Sequence, residues 1–102
     1  MSAVTILSID LIISDPSIRG GRPIIAGTTL RVQDIAAGYV FKGYSADDLI
    51  SQYPQITHAQ VHAALAYYYA HQSDIDEQLA ADADFARWAM EQGLGQRHPP
   101  VL

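Results

Sequence analysis

The residues whose types and spacing suit chemistry are few in this 102-residue chain. They are His58, His62 and His71 in one helix-patterned stretch, and the carboxylate pairs Asp47–Asp48 and Asp74–Asp76. His58 and His62 stand at i and i+4, on one helix face, a spacing that suits two ligands of a metal. Zinc needs three or four ligands, and the nearest carboxylates in sequence fall in the first turns of other expected helices. There the helix dipole and capping already account for them. Surface histidines are therefore the expectation, with no metal and no cofactor. A PIN-type nuclease needs several acids converging from a parallel α/β sheet, and this chain is too short and of the wrong pattern. No nucleophile–base pair stands out, so the chain reads as a non-enzyme.

The segment DPSIRGGRPIIAGTTLRVQDI, residues 15–35, raises a second kind of chemistry. A glycine-rich run feeding a helix is the layout of a phosphate cradle, but a P-loop requires Lys followed by Ser or Thr at the helix start. That pair is missing. Gly20, Gly21 and Gly27 read instead as turn residues, free to take backbone angles that other residues resist. The segment also holds Arg19, Arg22 and Arg31, three of six basic residues in the chain.

Composition bounds the rest. One domain fits this length, spanning residues 1–102, with a modest core. Hydrophobic residues make up 49%, which suits a folding chain. The absence of cysteine excludes a disulfide framework and agrees with a cytoplasmic location. The first residues, MSAVTILSIDLIIS, lack a basic leader region, and no apolar run nears the roughly 20 residues of a membrane helix. The net charge of −5 argues against binding nucleic acid by bulk electrostatics. Its distribution is uneven: basic residues collect at the front, and the last third carries Asp74, Asp76, Glu77, Asp82, Asp84 and Glu91. Two partners, or two subunits, suit such a polarity.

The elements that must carry these residues are short. VTILSI, LIIS and PIIAGTTLRV read as strands of a small sheet over residues 1–31, with Pro16 and Pro23 confining them to edges and turns. From Val32 the period turns helical, with Val32, Ile35, Ala36, Tyr39 and Val40 on one side and Gly43 as the stop. A second helix, ADDLISQ, has Ser45 as N-cap, Asp48 as its capping-box partner, and Tyr44 with Leu49 as a staple; Pro54 ends it. The third opens with Thr57 and Gln60 in the same roles, Ile56 with Val61 as staple, and a stripe of Val61, Ala64, Leu65 and Tyr68. These three helices occupy residues 32–71. An acidic helix over 72–94, starting near Ser73 or Asp74, places Ile75, Leu79, Ala83, Ala86 and Met90 on one side. Phe85 and Trp88 lie off that side, and residues 95–102 read as a frayed tail.

Three short helices with a tight turn before the third form the layout of a homeodomain-like helix-turn-helix. The fold class expected is thus mainly α, about four helices preceded by a small β-hairpin or sheet. The third helix contains no Arg or Lys, so Thr57, His58, Gln60 and His62 are its candidates for reading bases. Phosphate anchoring falls to Arg19, Arg22, Arg31 and Lys42. Tyr67, Phe85 and Trp88 are candidates for a protein interface, where aromatic residues are enriched.

The run DPSIRGGRPIIAGT, then GYSADDLISQYP and ITHAQVHAALAYYYAHQSDID, resembles the signature of the domain-of-unknown-function 433 family over residues 13–76. The resemblance implies a homeodomain-like fold behind small strands, and an antitoxin-like protein encoded beside a PIN-like ribonuclease toxin. It supplies no catalytic residues. Thr29 and Leu30 stand where many members carry Arg-Ile or Arg-Val, so the arm has one basic residue fewer. The expected function is binding and neutralising such a toxin, with promoter DNA as a second ligand, as a homodimer away from membranes. The alternative is a dimeric protein-interaction module with no DNA role.

Overall fold

A computed structural model of the chain describes residues 3–5, 7 and 9–92. Two strands, β1 (Ile12–Ile13) and β2 (Ile24–Ile25), pair antiparallel with Ile12 opposite Ile25 and Ile13 opposite Ile24. Helix α1 (Val32–Ala36) runs on as a π-helical turn, Ala37–Phe41. Then follow α2 (Ala46–Gln52), α3 (His58–Ala70) and α4 (Gln72–Glu91). The protein is mainly helical with a small N-terminal sheet, the fold class its sequence predicts.

Why these elements form is local at most of their ends. Ser45 Oγ accepts the backbone N–H of Asp48 at 3.0 Å, and Asp48 Oδ2 accepts that of Ser45 at 2.9 Å. The Ser45 backbone N–H, and after it the Ser45 hydroxyl, hold the Asp48 carboxyl below its ordinary range. Thr57 and Gln60 repeat the exchange at 3.2 and 2.7 Å. Each box satisfies two otherwise orphaned donors. Ile56 and Val61, beside the second box, are buried in the core they share with Ile25, Val32, Ile35, Ala36, Leu49, Ala64, Leu65, Tyr68 and Ile75. Burying each large aliphatic of that set contributes about 1.5–3 kcal/mol. Tyr68 sits at its centre, fully buried, and its hydroxyl donates to Asp76 at 2.8 Å, so α3 and α4 are tied as well as packed. Burial, then that carboxylate, raises the phenol's pKa.

Three expectations are corrected. The strand expected over VTILSI is absent from the described residues of that run: Val4, Thr5, Leu7 and Ile9 lie in no regular element, and Val4 and Leu7 are both 87% exposed. Among the described residues the strand pairing is confined to Ile12 and Ile13, with the Leu11 carbonyl accepting the Ala26 N–H at 2.8 Å beside it. The stripe of the first helix also ends early. Lys42 donates to the Ala37 carbonyl at 3.1 Å, an i→i+5 bond that widens the last turn and slips its phase. Tyr39 and Val40 therefore face solvent, and Gly38 turns inward instead. Finally, α4 begins at Gln72 with only His71 between it and α3, and beyond Asp82 its expected stripe of Ala83, Ala86 and Met90 is exposed. The tail expected over residues 95–102 lies outside the described residues.

Gly38, in the π-helical turn, packs against Leu49 of α2 and Tyr44. A Cβ there would stand 2.8 Å from Leu49 Cδ2 and 3.2 Å from Tyr44 Cδ2, and Leu49 is a core residue, 1% exposed. Gly38→Ala gains about 1 kcal/mol of helix propensity and incurs about 1–3 kcal/mol of overpacking. The expected net loss is about 1 kcal/mol, read from urea unfolding followed by circular dichroism. An unfolding midpoint at or above that of the wild type would show that Leu49 moves freely.

Candidate functional site

The polar centre of the molecule is assembled by strand register. Ile24 bridges Arg31, and the Val32 N–H donates to the Pro23 carbonyl at 2.9 Å, so the chain after β2 folds back antiparallel along it. A turn around Gly27 makes the reversal, fixed by Thr28 Oγ1 donating to the Ile25 carbonyl and accepting from the Leu30 N–H. Continuing that register sets Arg22 opposite Gln33. On the other side of Arg22, Arg19, Gly20 and Gly21 take φ values of 52°, 68° and 81°. Two glycines make most of this left-handed run inexpensive; Arg19 adopts it against its Cβ.

Arg22, Gln33 and Arg31 converge on one carboxylate of α4. Arg22 Nη1 donates to Asp82 Oδ2 at 2.8 Å and Oδ1 at 3.0 Å, and to Gln33 Oε1 at 2.7 Å. Gln33 Nε2 donates to Asp82 Oδ2 at 2.8 Å, and Arg31 Nη1 reaches the same oxygen at 3.4 Å. Arg31 also forms a fork on Asp34, Nη2 to Oδ1 at 2.9 Å and Nε to Oδ2 at 3.2 Å, while Asp34 Oδ2 accepts the Arg31 backbone N–H at the start of α1. Gln33 is 2% exposed, so both ends of its amide need partners, and Arg22 and Asp82 supply them. The Arg22 hydrogen bond holds the Asp82 carboxyl below its ordinary value of 3.8; burial opposes the shift, and Gln33 and the two guanidinium charges add to it.

The expected contact residues are thus divided. Arg22 and Arg31 are engaged inside the molecule, whereas Arg19 and Lys42 are exposed. Thr57 and Gln60 spend their side chains on capping α3. His58 Nε2 lies 2.7 Å from Asp47 Oδ1, and His62 is exposed one turn on. His71 stacks on Tyr67, ring centroids 4.1 Å apart, which leaves Tyr67 half-buried and makes Tyr69, 57% exposed, the outward member of the tyrosine run. Among the described residues no three His, Cys, Asp or Glu side chains converge as a metal site. No helix there is long and apolar enough to cross a membrane.

Sequence reasoning missed Gln33 and Asp82. A signal existed for the second: Asp82 is seven residues after Ile75 and three after Leu79, on the stripe that faces the body. An acid at such a position demands a cationic partner. Past it, α4 presents Phe85, Trp88 and Met90, exposed by 66%, 49% and 64%, with the two aromatic rings 5.9 Å apart.

A β-hairpin whose return segment opens a helix-turn-helix unit, closed by a polar clamp onto a long acidic helix, defines a small helical protein of the antiparallel-hairpin-plus-bundle class. Within that class the chain belongs to the DUF433 family, whose model, described as a protein of unknown function, matches residues 12–68. It is similar to the crystal structure of a DUF433 member protein from Anabaena variabilis, with 30% identity and a TM-score of 0.65, over 70% of this chain and 69% of that one. No match is found among curated proteins. The matched segment contains Arg22, Arg31 and Gln33 and stops short of Asp82.

Asp82 gives the clamp a pH signature. A carboxyl whose folded-state pKa is depressed adds stability above its unfolded value, and that addition is lost as pH falls through the folded-state value. Asp82→Asn, which leaves Arg22 facing a neutral group, is expected to lose about 1 kcal/mol at neutral pH, since solvent screens a partly exposed pair. The gap to wild type should narrow below 3.8, the ordinary carboxyl value. Urea titrations at several pH values check this; a gap independent of pH would show that the Asp82 charge contributes nothing to folding.

Proposed function

We propose that the chain is a non-enzymatic, antitoxin-like protein that binds and neutralises a PIN-like ribonuclease through the distal half of α4. The observation that carries this reading is the exposure of Phe85, Trp88 and Met90 on the part of α4 that has left the body. Aromatic and methionine side chains set among Asp84 and Glu91 suit a partner groove that is apolar at its floor and basic at its rim, as an RNA-binding groove is. Neutralisation is then occlusion of that groove.

Homodimerisation and promoter binding belong to the same proposal as its second role, with Arg19, Lys42 and the exposed His62 as outward contacts. The engagement of Arg22 and Arg31 by Asp82 favours the alternative, an interaction module with no DNA role, for as long as α4 stays docked.

Deleting everything after Ser73 would also remove Ile75 and Asp82, which hold α4 to the body, so point substitutions separate binding from folding. The double variant Phe85→Ser, Trp88→Ser is expected to weaken capture of the PIN-like ribonuclease encoded alongside by at least about 100-fold, two hot-spot losses. Its melting temperature should stay within a few degrees of wild type. Calorimetry with the purified ribonuclease measures it, and undiminished affinity would remove α4 from the interface.

A further inference from the structure

The Asp82 carboxylate is bound as a ligand is bound. Its Oδ2 accepts from Arg22, Gln33 and Arg31, and its Oδ1 from Arg22 again. A guanidinium, a buried amide and a second guanidinium around one planar anion form the donor set that proteins use for carboxylate and phosphate. The occupant arrives from 49 to 60 residues away in sequence, on a helix joined to α3 through the one non-helical residue His71.

Charge makes the occupant necessary. Arg31 is shared with Asp34, and Arg22 has Asp82 as its carboxylate partner, so the group is neutral with α4 docked and carries one positive charge without it. Gln33 is 2% exposed, and without Asp82 its Nε2 loses the acceptor it has. A buried amide donor beside an unpaired guanidinium favours uptake of another oxoanion. Asp82 is also replaceable: its side chain is 41% exposed, those of Arg22 and Arg31 are 29% and 20% exposed, and the described side chains of α4 beyond it are exposed.

We propose that Arg22, Gln33 and Arg31 form an oxoanion site which Asp82 occupies from within the chain, and that a phosphate group takes the place of Asp82 when α4 swings away. Phosphate is tetrahedral rather than planar, but two of its oxygens can take a guanidinium fork as a carboxylate does, and it brings more charge and further acceptor oxygens. The proposal extends the DNA half of the function above, and its test separates the two.

The full-length Asp82→Ala variant, melted in millimolar inorganic phosphate against chloride of equal ionic strength, tests it. A saturable rise in its midpoint of about 4 °C or more is expected. Wild type, its site already filled, should show no saturable rise. Arg22→Met combined with Asp82→Ala controls for the general stabilisation that phosphate gives any protein. Equal shifts in the single and double variants overturn the proposal. If Asp82→Ala is unfolded, phosphate restores its helical circular dichroism where the proposal holds and leaves it unfolded where it does not. A DNA duplex of arbitrary sequence distinguishes the source of the phosphate. Binding to Asp82→Ala at least about tenfold tighter than to wild type, lost in the double variant, identifies a phosphodiester. Rescue by phosphate with no such gain assigns the site to small phosphates and removes Arg22 and Arg31 from DNA binding.

Discussion

The burial of the Gln33 amide is the constraint on which the polar half of the structure depends. An amide has two ends, and one that is 2% exposed must have both paired within the protein. Its oxygen takes Arg22, delivered by the register of β2 with the segment after it. Its nitrogen takes Asp82, which only α4 can deliver. One side chain therefore closes the hairpin, α1 and α4 into a single unit. The apolar core does this only partly, since Ile75 is buried and Leu79 packed against it while the helix beyond Asp82 stands clear.

That closure settles where the positive charge of the N-terminal segment goes. Arg22 and Arg31 neutralise Asp82 and Asp34 rather than forming a basic face, which leaves Arg19 and Lys42 as the exposed cations of the hairpin and α1 region. That group of two arginines and two carboxylates is neutral, so the net charge of −5 is carried by the rest of the chain. The exposed aromatic pair Phe85 and Trp88 lies on the acidic helix, so the apolar and the anionic character of α4 are offered to a partner together.

What was legible in the sequence follows from range. The capping boxes at Ser45 and Thr57, the stripe through Val61, Ala64, Leu65 and Tyr68, and the stop at Pro54 involve residues within a few positions of each other, and each is where its pattern puts it. The π-helical turn was not legible: its i→i+5 bond occurs where Gly38 packs beside Leu49 and Tyr44, and no local pattern of residues marks it. The strand expected over VTILSI is absent from its described residues: β-branched composition gives a propensity, but a strand exists only where a neighbour pairs with it. The clamp spans 60 residues between Arg22 and Asp82, and no local pattern links those two. Its only trace was an acid on the inward stripe of α4.

The clamp also makes the two ends of the molecule thermodynamically dependent. Docking α4 and engaging Arg22 are one event, so whatever favours the release of one favours the release of the other, and by the same amount. A protein that seats on Phe85 and Trp88 while leaving the helix in place has no such leverage, because the clamp lies on the inward stripe. One that needs the inward stripe as well must first break the bonds to Asp82, and it then presents Arg22 and Gln33 without their acceptor. The depth to which a partner grips α4 thus decides whether the hairpin senses it. The boundary is Asp82, with Leu79 on the side packed against the core and Phe85 on the side exposed to solvent.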